Sequence, residues 1–269
     1  MHTFHLLAPL VSLALAAAPA TTEMALTSAD GFALKGTLTL PAAKGKVPVV
    51  ILAHEFRTDR AGWAPLAERL AARGIGTLAL DLRGHGASTL KGAAQLTVSS
   101  DFMASAKAVG FDAIPADLVQ AAAWLRSQPG VDGRRIGLAG SSVGAFASLL
   151  AAPQVKPVAI LCLSPAGTGV FGEGAREKLK SAVLQAQVST LVLAAADDKD
   201  AFENAKALAG LPGVAVSLAE GKAHGFAFFQ ERADLMAVFF GEYLTYHRTG
   251  QKYVKPEAEA TKPAAEAAK

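Results

Sequence analysis

The strongest constraint on how this chain can fold is an alternation of largely apolar runs with stretches of helical spacing. Val47–Ala53 reads VPVVILA, 75–82 reads IGTLALDL, 158–163 reads VAILCL and 190–195 reads TLVLAA. Such runs lack the apolar–polar alternation of a half-exposed strand, so both faces of each must be covered. Between them lie amphipathic stretches. Residues 61–73 place Leu66, Leu70 and Ala71 on one stripe, and 115–128 (PADLVQAAAWLRSQ) opens on a proline suited to a first helical turn. Further helices are expected at 175–184, 201–208 and 229–246, and strands at 135–139 and 214–218. Strands that alternate with helices pair in parallel and carry helices on both faces. Residues 22–26 and 32–40 differ: they flank the turn Ala29-Asp30-Gly31, and the second alternates, as in an antiparallel hairpin. The expectation is an α/β fold with a mostly parallel central sheet of about eight strands. Residues 88–113 show no strong period and are expected to form an irregular excursion with a short helix near 100–109.

The ends of the chain read differently. Residues 1–20 (MHTFHLLAPLVSLALAAAPA) hold an apolar run closing in Ala18-Pro19-Ala20, as in a secretory signal peptide, although neither Lys nor Arg precedes the run. The run is short for a membrane span, so cleavage after Ala20 is expected, with a retained anchor as the alternative. Secretion or periplasmic residence follows, without stable membrane insertion afterwards. The domain is then 21–250, and 251–269, made of Ala, Lys, Glu and Pro with almost no large apolar residue, is expected to be a disordered tail. The formal charge is +3 and no Lys/Arg cluster forms a phosphate track, which excludes a nucleic-acid function. The single cysteine, Cys162, sits in an apolar run and reads as a packed thiol.

Chemistry concentrates where a buried strand meets a helix, at Gly140-Ser141-Ser142-Val143-Gly144. In a Gly-x-Ser-x-Gly elbow the serine adopts a strained backbone that exposes its hydroxyl, and the glycines allow strand and helix to approach too closely for a Cβ. That register selects Ser142 as nucleophile; Ser141 would be flanked by Ala139 and Val143. A serine hydroxyl needs a base and an acid to orient it. The run 190–195 leads into Ala196-Asp197-Asp198-Lys199-Asp200, and 214–218 leads towards His224-Gly225. His224 is the candidate base. Asp198 is the first candidate for the acid, with Asp197 and Asp200 as competitors, Asp200 being also a candidate helix cap.

Residues 47–88, ending in Asp81-Leu-Arg83-Gly84-His85-Gly86-Ala-Ser88, resemble the first βαβ unit of the α/β-hydrolases, as do the elbow and the ordered acid and base. The resemblance covers about residues 25–246. It implies an α/β-hydrolase fold and a triad of Ser142, Asp198 and His224. It also implies an oxyanion hole made by the backbone amides of Phe56 and Val143. Arg83 and His85 take structural roles in that reading, and Trp63 and Trp124 are packing residues. Glu55 replaces the usual glycine after His54. It resembles a pairing found in some dienelactone-hydrolase-like members, where the glutamate can contact the nucleophile. Glu55 is thus either a supporting carboxylate behind Ser142 or His224, or an exposed or salt-bridged glutamate, with Arg57 as a candidate partner. The family's lid is usually inserted after the strand at 158–163; here 164–189 hold one helix and a Gly-rich loop, so no cap domain is expected. No metal or cofactor is implied, since no ligand spacing or Gly-rich phosphate loop is present. The expected partner is a small-molecule ester. A thioesterase, lactone hydrolase or peptidase of the same fold, or a non-catalytic binding protein, are the alternatives.

Overall fold

A computed structural model describes residues 18–245. Most of the expected signal segment, the last residue of the helix expected at 229–246 and the expected tail 251–269 lie outside the described residues. In chain order the strands and helices begin with β1 (Ala20–Thr27), β2 (Ala33–Leu40), β3 (Val47–Ala53), α1 (Ala64–Ala71) and β4 (Gly76–Asp81). A small hairpin follows, β5 (Leu90–Lys91) with β6 (Ala94–Gln95), then α2 (Phe102–Val109) and α3 (Ile114–Arg126). The second half runs β7 (Val131–Ser141), α4 (Val143–Val155), β8 (Ala159–Leu163), α5 (Ala175–Ala186), β9 (Ser189–Ala195), α6 (Lys199–Leu208), β10 (Val214–Ala219) and α7 (Phe229–Thr245).

One sheet holds eight of these strands in the order β1-β2-β4-β3-β7-β8-β9-β10. β1 and β2 pair antiparallel, as does β2 with β4, and every other pairing is parallel. The expected mixed α/β sheet is thus the observed one. All of β3 is buried, and its side chains divide by parity between two cores. Val49 and Ile51 join the helices α3 to α6, while Val50 and Leu52 face Trp63, Leu66 and Leu70 beside α7. β2 alternates between buried and half-exposed, as its sequence pattern requires.

Several boundaries differ from expectation. β7 extends from residue 131 to 141, so the elbow strand is far longer than its apolar core. The helix expected from residue 61 opens as a 3-10 turn, Arg60–Trp63, because Pro65 lacks the donor that a helix interior requires. In the excursion, α2 is capped at its start by Asp101, whose carboxylate accepts from Ala104 N–H, and stopped by Gly110 in the left-handed region. The β5–β6 hairpin was not expected, since strands of two residues carry no period. Cys162 is free and buried in β8, where burial pushes its thiol pKa up. Trp63 is fully buried against Phe226 and Phe229.

The parallel strands bring their C-terminal ends to one rim of the sheet, and the loops leaving β3, β7, β8, β9 and β10 meet there. Between β8 and β9 the described chain holds only α5, without an inserted domain.

Candidate active site

At the join of β7 and α4, Ser142 is held at φ 54° and ψ −120°, a conformation that side-chain-bearing residues avoid. A Cβ on Gly140 would lie 2.4 Å from the Ala145 Cα and the Gly144 carbonyl oxygen. One on Gly144 would lie 2.3 Å from the Ala53 carbonyl oxygen. The two glycines let α4 press against β7 and β3, and the strained turn follows from that contact. Hydrogen bonds fix it: Ser142 N–H donates to the Leu163 carbonyl at 2.8 Å, and the Ser142 carbonyl accepts from Ala145 and Ala166.

His224 follows β10 and caps the 3-10 turn Gly225–Phe228. Its Nδ1 lies 2.6 Å from Asp198 Oδ2. This hydrogen bond, with the charges of Asp198 and Glu55, holds the imidazole pKa above its ordinary value against the opposing effect of burial. The other candidate acids sit elsewhere. Asp197 is exposed. Asp200 lies in the first turn of α6, which starts at Lys199, and its carboxylate accepts from Gly167 N–H at 2.7 Å and Thr168 N–H at 3.1 Å. Asp198 is therefore the carboxylate paired with His224, and Asp200 tethers a neighbouring loop rather than capping its own helix. Ser142 and His224 line the same pocket, with no hydrogen bond between them among the described residues.

The loop after β3 carries Phe56, and two histidines brace it. His54 Nε2 accepts from Leu82 N–H at 2.9 Å, which puts its proton on Nδ1, and Nδ1–H donates to the Glu55 carbonyl at 2.7 Å. Burial holds His54 neutral, with a pKa pushed down to about 3. His85 Nε2 likewise accepts from Arg57 N–H at 3.1 Å. Asp81 accepts from Arg60 and Ala87 N–H, and Arg83 is clamped by Asp117 and Asp30. The Asp81–Ser88 turn thus serves as a scaffold under the loop. Val143 is the first residue of α4, where helix N–H groups lack intrahelical acceptors. The amides of Phe56 and Val143 take no part in the turn and cap hydrogen bonds of this region.

Glu55 turns inward. Its Oε2 accepts from Ser141 Oγ at 2.5 Å and from Phe226 N–H at 3.0 Å, and it forms no ion pair with Arg57 among the described residues. It therefore supports the elbow through the residue before Ser142, not through Ser142 itself. The fit is tight: a Cβ on Gly225 would lie 1.7 Å from Glu55 Oε2. The sequence offered two faint signs of this contact, a second serine beside the candidate nucleophile and a glycine after His224.

A pocket of about 510 Å³ opens over these groups, lined by Glu55, Ser142 and His224 together with Phe56, Phe102 and Met103. Ala166, Gly167, Gly169 and Asp200 form another part of its wall. The part played by α2, through Phe102 and Met103, was not read from the sequence beyond the expectation of a short helix near 100–109. Among the described residues no cluster of His, Cys, Asp and Glu could hold a metal ion. No described helix is long and apolar enough to cross a membrane.

Solved structures similar to this chain carry the same fold. A dienelactone hydrolase from Anabaena variabilis matches with a TM-score of 0.60 and 22% identity, covering 84% of this chain and 99% of that one. An acetyl xylan esterase from Paenibacillus sp. R4 matches with a TM-score of 0.65 and 20% identity, over 84% and 85% of the two chains. A cold-adapted esterase from an Arctic intertidal metagenomic library gives 0.62 and 19% identity, over 83% and 93%. Two uncharacterized proteins from strains of Mycobacterium tuberculosis are 29% identical over 147 residues, 55% of this chain. That match takes in 46% of their length, so the chain spans about half the length of the curated relatives it matches. The family model for X-Pro dipeptidyl-peptidases (S15 family) matches residues 30–218, a segment that includes Ser142 and Asp198 and ends before His224. The chain belongs to this peptidase family, and its fold is that of the α/β-hydrolases.

Proposed function

We propose that the protein is a serine hydrolase that cleaves small carboxylic esters through an acyl-enzyme on Ser142. One observation carries this reading: the strained Ser142 and the Asp198-bonded His224 line a single pocket. In the proposed cycle Ser142 Oγ attacks the ester carbonyl carbon while His224 Nε2 takes its proton. The carbonyl electrons move onto the oxygen, which the Phe56 and Val143 amides receive. Collapse of this intermediate breaks the ester bond, and the departing alcohol takes the proton from His224. Water then attacks the acyl-enzyme, gives a proton to His224 and releases the acid, and the proton returns to Ser142. Asp198 keeps the imidazole proton on Nδ1 and stabilises the imidazolium. The open rim without a cap domain favours short acyl chains.

A fluorophosphonate probe tests the chemistry. Labelling of the wild type that vanishes in Ser142→Ala is expected; labelling that survives the substitution would refute the nucleophile, and no labelling at all would refute the enzyme. The family match supports a peptidase as the second reading, so an X-Pro dipeptide amide belongs beside p-nitrophenyl esters in the assay. Faster turnover of the amide would reverse the order of the two readings. Export is proposed on the apolar run before Ala20 alone. A mature protein starting at Thr21 outside the cytoplasm is the expected outcome, and an intact amino terminus in the cytoplasm refutes it.

A further inference from the structure

The substrate chemistry of the pocket can be taken further, resting on the ester-hydrolase reading above. An ester bound for attack has its carbonyl oxygen towards the Phe56 and Val143 amides and its leaving oxygen towards His224, which protonates it. Its acyl group then extends along the wall beyond the two amides. That wall is apolar on both sides. Phe102 of α2 packs edge-on against Phe56 with ring centroids 5.1 Å apart. Opposite, a Cβ on Gly167 would sit 3.6 Å from Val143 Cγ2, so the Ala166–Gly169 segment runs directly beside the second amide.

Met103 crosses the gap between these walls. Although 50% exposed, it reaches so far over that a Cβ on Gly169 would lie 3.5 Å from its Sδ. The charged residues lining the pocket are Glu55, Asp200 and His224, with neither Lys nor Arg. The Asp200 carboxyl is held below its ordinary range by hydrogen bonds from Thr168 and Gly167, against the opposing effect of burial. A carboxylate on the acyl group would therefore meet the like charges of Glu55 and Asp200 and no lysine or arginine among the lining residues, Arg176 standing 3.8 Å from Asp200 outside that lining.

We propose that the space between α2 and the Ala166–Gly169 segment is the acyl subsite, that it takes short uncharged acyl groups, and that Met103 and Gly169 set its length. Methionine is a flexible boundary, so the limit is graded. Asp200 acts at a distance from the reacting atoms, as the positioning residue that anchors the Gly169 side of the subsite.

The test measures kcat/KM for p-nitrophenyl acetate, butyrate, hexanoate and octanoate, and compares ethyl butyrate with monoethyl succinate by pH-stat. For the wild type, activity should fall beyond butyrate. Met103→Ala should raise the octanoate-to-butyrate ratio by about tenfold, the discrimination that a methylene-sized change in an apolar pocket supplies. Gly169→Val should lower butyrate relative to acetate by about the same factor, with Gly169→Ala as a milder variant should the valine fail to fold. Monoethyl succinate should fall about tenfold below ethyl butyrate, through like-charge repulsion in a partly desolvated pocket. Probe labelling of Ser142 should persist in every variant. An active enzyme whose chain-length profile is unmoved by Met103→Ala and by the Gly169 variants, or which prefers the succinate, overturns this assignment and leaves the hydrolase reading intact. A wild type that neither labels nor cleaves any ester overturns both.

Discussion

Replacing Glu55 should loosen three loops at once, and the size of the effect can be worked from the structure. Glu55 Oε2 is the acceptor for Ser141 Oγ and for Phe226 N–H. Hydrogen bonds to a charged acceptor contribute about 1.5–3 kcal/mol each. Ser141 is fully buried, so Glu55→Ala leaves its hydroxyl without a partner, while the cavity rim lets water reach part of the remainder. The expected loss for Glu55→Ala is about 2–3 kcal/mol, or about 4–12 °C in melting temperature for a domain of this size. Glu55→Gln keeps a neutral acceptor and should lose about 1 kcal/mol. Activity supplies a second reading. The negative charge of Glu55 is one of the forces raising the His224 pKa. In the proposed cycle His224 must be neutral to accept the Ser142 proton, so the acid limb of kcat/KM is expected to follow that pKa. Removing the charge lowers it, and the acid limb should move to lower pH in both variants. Thermal melts and a pH–rate profile on a short ester measure the two effects. An alanine variant with an unchanged melt and an unchanged acid limb would refute the clamp.

Other outcomes follow from the same geometry. Asp198→Asn should lower kcat by about ten-thousand-fold by disturbing the His224 tautomer, whereas Asp200→Asn should act chiefly on KM; equal kcat losses in the two would undo the pairing of Asp198 with His224. Gly144→Ala drives a Cβ to 2.3 Å from the Ala53 carbonyl oxygen and should cost about 3 kcal/mol or more, so a near-native urea midpoint would contradict the tight elbow. Arg83 and Lys91 hold the Asp30 carboxyl well below its ordinary value. A depressed carboxylate contributes stability above its unfolded pKa, near ~4, and loses it as pH falls below. Asp30→Asn should flatten that acid decline in urea midpoints, and an unchanged slope would place the effect elsewhere.

The features legible in the sequence are those that restrict residue type. A helix pressed on a strand forbids side chains at 140 and 144, which leaves the glycine spacing around Ser142 in plain view. Strands covered on both faces become unbroken apolar runs, so β3, β4, β8 and β9 stood out. The pairing of Asp198 with His224 was legible because chain order and strand ends confine the two residues. The remainder depends on partners that impose no residue pattern. Asp200 binds the backbone N–H groups of Gly167 and Thr168 and the Thr168 hydroxyl, partners about thirty residues away that leave no local pattern. Glu55 meets a hydroxyl and a backbone amide, so its inward turn has no signature beside it in sequence. Two-residue strands such as β5 and β6 are too short for a period of two to show.

The Glu55 contact also bears on when the site comes into being during folding. Its two partners lie 86 and 171 residues away along the chain. Contacts this distant close late, because the entropy of the intervening loops is lost before the contact returns anything. Phe226 stands beyond β10, the edge strand, so this tie cannot form until the sheet has accepted its last strand. On refolding, ester turnover should therefore lag behind recovery of helical signal. A nascent polypeptide lacking the residues after β10 would have a folded interior before Glu55 had its partner at Phe226.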